Sequence, residues 1–179
     1  MYAETKRRTY FQMGIFLVGI GFLLSLLGVY YVNGLTYIGS TVYGLATQRA
    51  ATLWGGILLV CLGLRNVTLG HPTNRFATDS MWDTFSAIFT NLLAFLISGA
   101  VVGVTLWGHV DFLKDADVTT LEGSTELVNL IAILLLGTLG MLTTIVGCIV
   151  ACFPISDSDG QAPPAGEQYA MENQGFNKH

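Results

Sequence analysis

Charge is what this sequence has least of. Of its 179 residues only 11% are Asp, Glu, Lys or Arg, where a soluble domain carries roughly 25%. Four long stretches, beginning near Met13, Ala50, Phe85 and Leu127, hold no charged residue in their cores. A helix of a water-soluble domain needs a polar face, so this absence excludes a soluble globular fold and fits helices that cross a bilayer in about 20 residues each. Cysteine is nearly as scarce. Cys61, Cys148 and Cys152 all lie within or at the ends of apolar stretches. The polar segments therefore lack the disulfide framework that staples small extracellular domains.

What is present is apolar and divided into four parts. With 52% hydrophobic residues, most of the chain is needed to cross the membrane, and little remains for a separate catalytic domain. The expected fold is all-α, a polytopic four-transmembrane-helix bundle with spans at about 13–32, 46–64, 85–107 and 127–153. Residues 1–12 precede the first span. That run is longer than the apolar part of a signal peptide and reads as a retained span. The second is the shortest: uninterrupted apolarity ends before Arg65, so the helix must reach back through Gly44, Leu45 and Ala46, with Arg49 and Arg65 snorkelling. A re-entrant helix is the alternative. After Pro154 the composition turns to Ser, Asp, Gly, Pro, Gln and Asn, the signature of a disordered tail at 154–179.

The polar segments differ in charge. Lys6, Arg7 and Arg8 precede the first span, and Arg65 and Arg75 lie between the second and third, whereas the two other connections carry only Arg49 and Lys114. Basic residues are retained on the cytoplasmic side, which places both termini there and segments 33–49 and 109–126 outside. The plasma membrane is preferred to an organelle. Tyr30, Tyr31, Tyr37 and Tyr43 suit an interfacial belt. The segment with Asp111, Asp115, Asp117, Glu122 and Glu126 is acidic but lacks the ligand spacing of a calcium loop.

A catalytic inventory is missing. The spans hold no ionisable side chain at their centres, and His71, His109 and His179 lie outside them, so no span serine has a base to activate it. No paired Cys or His builds a metal site at His109, and Leu53-Trp54-Gly55-Gly56 is not followed by the Lys and Ser or Thr of a nucleotide loop. No basic patch suits nucleic acid. The expectation is a protein that is not an enzyme and takes no cofactor, its surroundings being the lipid bilayer and further copies of itself or other membrane proteins.

Other residues speak for packing and modification. Gly99 and Gly103 have the GxxxG spacing that lets another helix approach, within the chain or in a dimer. Gly137, Gly140 and Gly147 are candidates for the same role in the fourth span. Ser25, Ser86, Ser98, Thr138, Thr143, Thr144, Asn91 and Asn129 are expected to hydrogen-bond between helices. Cys148 and Cys152 are candidates for lipidation. Ser156 and Ser158, in an acidic context, are candidates for phosphorylation. Asn66-Val67-Thr68 matches a glycosylation acceptor but hugs a span end.

At Leu53-Trp54-Gly55-Gly56-Ile57, Asn91-Leu92-Leu93-Ala94-Phe95 and Gly147-Cys148-Ile149-Val150-Ala151-Cys152, the chain resembles the membrane-spanning four-domain subfamily A. Where that family usually has a proline just ahead of the Trp, this chain has Thr52 and Leu53. The resemblance implies a non-enzymatic tetraspan that oligomerises and serves as an accessory subunit of receptors or channels. A homo-oligomeric pore, with the acidic segment concentrating cations, is the other reading.

Overall fold

The structure, a computed structural model, describes residues 3–38, 43–71, 81–108 and 121–153. Helix α1 spans Ala3–Ile38 and α2 Tyr43–Gly70. Helix α3 spans Met81–Gly108 and α4 Leu121–Cys152. All four are long and apolar enough to cross a membrane, and no strand occurs among the described residues. The helices form a ring in which α1 packs on α2, α2 on α3, α3 on α4 and α4 on α1. The protein is an all-helical, multi-pass membrane bundle.

All four helices are longer than their expected spans, α1 and α2 most of all. Helix α1 starts ahead of Lys6, Arg7 and Arg8 and takes them into its first turns. Helix α2 does not stop at Leu64 but runs five residues past Arg65, so its apolar segment is Ala50–Gly70 rather than 46–64. Arg65 ends the apolar run in the sequence without ending the helix, because its side chain is exposed while Asn66 and Leu69 beside it are buried. The helix is continuous over Tyr43–Gly70 and long enough to cross a membrane.

The tightest contact lies between α1 and α2. Gly14, Gly21 and Gly28 repeat every seven residues along α1, as do Gly56, Gly63 and Gly70 along α2. The two series run antiparallel, with Gly14 against Gly63 and Gly21 against Gly56. A Cβ on Gly21 would lie 2.6 Å from the Gly56 carbonyl oxygen and 2.7 Å from the Val60 nitrogen. Only hydrogen fits there. Val18 and Ser25 fill the α1 seam between glycines, and Val60 and Val67 do so on α2. A seven-residue repeat keeps one face toward its partner when helices wind in a left-handed supercoil, and glycine lets the backbones touch.

The same period marks the interior of the other pair. Ala87, Asn91, Ala94, Ser98, Val101 and Thr105 are buried along α3, and Leu130, Ile133, Gly137, Gly140, Thr144, Gly147 and Ala151 along α4. The central core joins Leu17, Ile20 and Leu24 of α1 to Leu59, Ala94, Val101 and Ile133. A second cluster, Tyr10, Leu69, Ala87, Val150 and Ala151, lies near the start of α1 and the end of α4. This is the terminal end of the bundle.

The seam makes a prediction. Gly21→Leu and Gly56→Leu must each push α1 from α2 and lower stability by about 1–3 kcal/mol, whereas Gly19→Leu, with open space around it, leaves stability near wild type. Thermal unfolding in mild detergent, followed by tryptophan fluorescence, measures the difference. Equal melting of Gly19→Leu and Gly21→Leu would contradict the seam.

Candidate functional site

Between the two apolar clusters lies a polar layer. Asn66 of α2 donates from Nδ2 to Asn91 Oδ1 of α3 at 3.0 Å, and Asn91 Nδ2 donates to the Ala87 carbonyl at 2.8 Å. Both side chains are fully buried. An amide in a membrane interior needs a partner, and this pair lets each satisfy part of the other's demand. Gly147 of α4 makes the room: a Cβ there would stand 2.5 Å from Asn91 Oδ1 and 2.6 Å from Met13 Cε. The layer therefore touches all four helices. The amide of Asn66 is engaged inside the bundle, so the glycosylation match is unavailable to an outside enzyme.

The span hydroxyls behave differently from expectation. Ser25 donates to the Gly21 carbonyl, Thr138 to Leu134, Thr143 to Leu139 and Thr144 to Met141, each within its own helix. A hydroxyl three or four residues beyond a carbonyl satisfies itself there without a neighbouring helix. Ser98 Oγ, buried over Gly140, has no hydrogen-bond partner among the described residues. Bonds between side chains of different helices include Asn66 to Asn91 and, at the surface, Arg65 Nη2 to Ser86 Oγ at 3.1 Å.

Glycines divide into inward and outward sets. A Cβ on Gly137 would meet Val102 of α3, and one on Gly140 would meet Ser98 Oγ at 2.7 Å. Together with Gly147 these line the α3–α4 contact. Gly99 has only Met141 Cε nearby, at 3.9 Å from an added Cβ, and Gly103 has nothing within 4 Å. The GxxxG pair thus has no helix packed closely against it within the chain. Beside it Ala100, Gly103, Val104 and Trp107 line an open apolar hollow of about 270 Å³. Trp82 and Trp107, 81% and 79% exposed, stand at opposite ends of α3, roughly 37 Å apart along its axis. That separation suits the two boundaries of a bilayer.

Trp54-Gly55-Gly56 has a geometric explanation. Successive helical residues turn by about 100°, so three in a row face three directions. Trp54 faces out, Gly55 admits Val101 of α3 and Gly56 admits the α1 backbone. The motif is the corner where α2 meets both neighbours.

At the terminal end Lys6 is 5% exposed and donates from Nζ to the carbonyls of Ala151 at 3.3 Å and Phe153 at 3.0 Å. A cation placed on the last carbonyls of α4 satisfies groups that the helix leaves open and complements its dipole. Cys148 is half-buried and Cys152 exposed, and Cys61 is exposed within the α2 span; all three are free thiols. Tyr30 is exposed, as an interfacial ring requires, while Tyr31, Tyr37 and Tyr43 fall outside the described side chains. So do the acidic segment with Asp111, Asp115 and Asp117, His109, and Ser156 and Ser158 of the tail. Among the described residues no group of three His, Cys, Asp or Glu is placed to hold a metal.

The structure thus defines a class, a four-helix membrane bundle with a buried amide layer and an open glycine pair on α3. Comparison of the chain with protein-family models, with curated proteins and with solved structures gives no match.

The amide pair is testable by a double-mutant cycle. Asn66→Ala and Asn91→Ala should each destabilise the bundle, and the double variant should lose less than the sum, with a coupling of about 1 kcal/mol. Denaturation in mixed micelles reads the coupling. Strict additivity would mean that the two amides do not interact.

Proposed function

We propose that this protein is a non-enzymatic membrane scaffold, an oligomerising tetraspan or accessory subunit, whose α3 receives a second copy of the chain or a helix of another membrane protein. The observation that carries this reading is the open face at Gly99 and Gly103. The glycines at 14, 21, 28, 56, 63 and 70 and at 137, 140 and 147 lie against a neighbouring helix, whereas Gly99 and Gly103 face outward beside the hollow lined by Trp107. In lipid, helices associate where small residues allow close packing, since apolar surface alone gains nothing by leaving a hydrocarbon solvent. The resemblance to the membrane-spanning four-domain subfamily A supports the same role.

The proposed setting is the plasma membrane with both ends cytoplasmic. Lys6, Arg7, Arg8 and Arg65 support that orientation, because α1 begins and α2 finishes at one end of the bundle, where Arg7 and Phe11 meet Gly70. Packing also bears on the pore alternative. Leu17, Leu24, Leu59 and Ile133 are fully buried at the centre of the ring, so a conducting path would have to run between chains.

Replacement of both outward glycines is the test. Gly99→Ile with Gly103→Ile should leave the fold and melting temperature close to wild type, because the added atoms enter open space, yet weaken association by about tenfold, or ~1.4 kcal/mol. Single-molecule photobleaching in lipid nanodiscs and co-purification in mild detergent report it. Wild-type chains that remain single and bring down no partner would end the scaffold reading. Ion flux in liposomes holding the wild-type protein would favour the pore.

A further inference from the structure

We propose that the terminal end of the bundle holds a binding site for one phosphate group, carried by a phospholipid of the adjoining leaflet or free in solution, with Lys6 and Tyr10 as its donors. The inference is independent of lateral association through α3. It begins with a charge. Lys6 is 5% exposed, and an ammonium taken out of water requires a counter-charge as well as acceptors. Its acceptors in the structure are neutral, the carbonyls of Ala151 and Phe153. Among the described side chains the only carboxylate is that of Glu4, which is exposed. Glu4 lies two residues from Lys6 and so faces another side of α1. An ammonium has three N–H donors, and the two carbonyls leave one for an anion.

Tyr10 adds a second donor. It follows Lys6 by one helical turn, so the two side chains are neighbours on one face of α1. They also meet the same turn of α4: Lys6 Nζ bonds the Ala151 carbonyl, and Tyr10 packs in one cluster with Val150 and Ala151. Tyr10 is 4% exposed, yet its hydroxyl has no hydrogen-bond partner among the described residues. Helical side chains lean toward the N-terminus of their helix, which turns both donors toward the membrane boundary. A phosphate oxygen serves both, because it brings negative charge to the ammonium and a lone pair to the hydroxyl.

Depth and access agree with a phosphate at the bilayer boundary. Lys6 lies two residues inside the start of the α1 span at Glu4, about 3 Å along the axis. That is the level at which headgroups meet hydrocarbon. The site opens beside α4, where Cys152 and Phe153 are exposed. With Lys6 Nζ over the last carbonyls, this helix end presents a cation in place of its own negative pole. Farther along α4, Ile145 and Ile149 are exposed on the same stripe as Cys152 and offer an apolar surface to the acyl chains of a bound phospholipid. Arg8, also exposed, adds long-range attraction for anions without facing the site.

The experiment uses the full chain in mild detergent, read by thermal unfolding and by native mass spectrometry. The probes are phosphatidic acid, a diacylglycerol with the same acyl chains and no phosphate, and inorganic phosphate against sodium chloride of equal ionic strength. Wild type should melt higher with phosphatidic acid, retain one such lipid per chain and ignore diacylglycerol. A rise with phosphatidic acid alone assigns the lipid as the source, whereas an equal rise with inorganic phosphate, beyond that of chloride, assigns the free anion. Lys6→Gln should weaken binding by about tenfold and Tyr10→Phe severalfold, while Arg8→Gln stays close to wild type. Tyr10→Phe keeps the ring and removes no hydrogen bond among the described residues, so it decides the matter even where loss of Lys6 unfolds the bundle. The proposal is overturned by a wild type that responds to neither phosphate source, or equally to diacylglycerol. Wild-type affinity in Tyr10→Phe or in a folded Lys6→Gln overturns it as well. So does an equal loss in Arg8→Gln and Lys6→Gln, which would mean diffuse attraction to the surface.

Discussion

Contact between the backbones of α1 and α2 is the constraint on which this structure rests. In water two such helices would be driven together by the removal of apolar surface, but in lipid that force is absent and only close packing, hydrogen bonds and lipid entropy remain. Glycine at every seventh position of both helices removes the side chains that would hold the axes apart. The antiparallel register then follows from the glycines themselves, because a shift along either helix takes Val18, Val60 and Val67 off the glycines they pack on and sets them against side chains. With α1 and α2 joined, Leu17, Ile20, Leu24 and Leu59 present a surface to which α3 and α4 add Ala94, Val101 and Ile133.

Polar atoms in the interior are few and placed with economy. The hydroxyls of Ser25, Thr138, Thr143 and Thr144 are satisfied by carbonyls of their own helices, so they place no demand on a neighbour. The asparagines differ, since an amide has more donors and acceptors than its own helix can serve. Asn66 and Asn91 therefore restrict how α2 can meet α3, and the absence of a side chain at Gly147 brings α4 to the same level. A second tie is made where Lys6 of α1 takes the last carbonyls of α4. Apolar packing allows many small slips of one helix along another, whereas these two bonds have distance requirements that a slip breaks.

Legibility in the sequence varied with the range of the interaction. The four apolar runs needed only composition and length. The motif at Trp54-Gly55-Gly56 was visible, but its meaning as a three-way corner required knowing which neighbour lay on each side. Gly99 and Gly103 stood out because their spacing is familiar, yet neither is packed closely within the chain. The glycines at positions 14, 21, 28, 56, 63 and 70 carried the intramolecular contact, and their signal was present as two matching seven-residue series. A glycine every seventh residue marks one face of a helix without naming what packs on it, so the contact becomes definite only with the partner helix in place. Arg65 misled in another way: a charge that ended hydropathy did not end the helix, since a helix needs only one buried face and Arg65 lies on the other.

By itself the sequence determined that this chain lives in a membrane as four helices, because freedom from charge over about 20 residues is a property of each segment and needs no partner to be expressed. Tertiary structure alone decided which glycines touch, which are left open, and which buried amides meet. Those outcomes depend on the rotation and depth of each helix relative to the others, set by backbone approach and hydrogen bonding between residues 25 to 147 positions apart, such as Asn66 with Asn91 and Lys6 with Phe153. Local composition carries no record of such pairings until the helices are placed side by side.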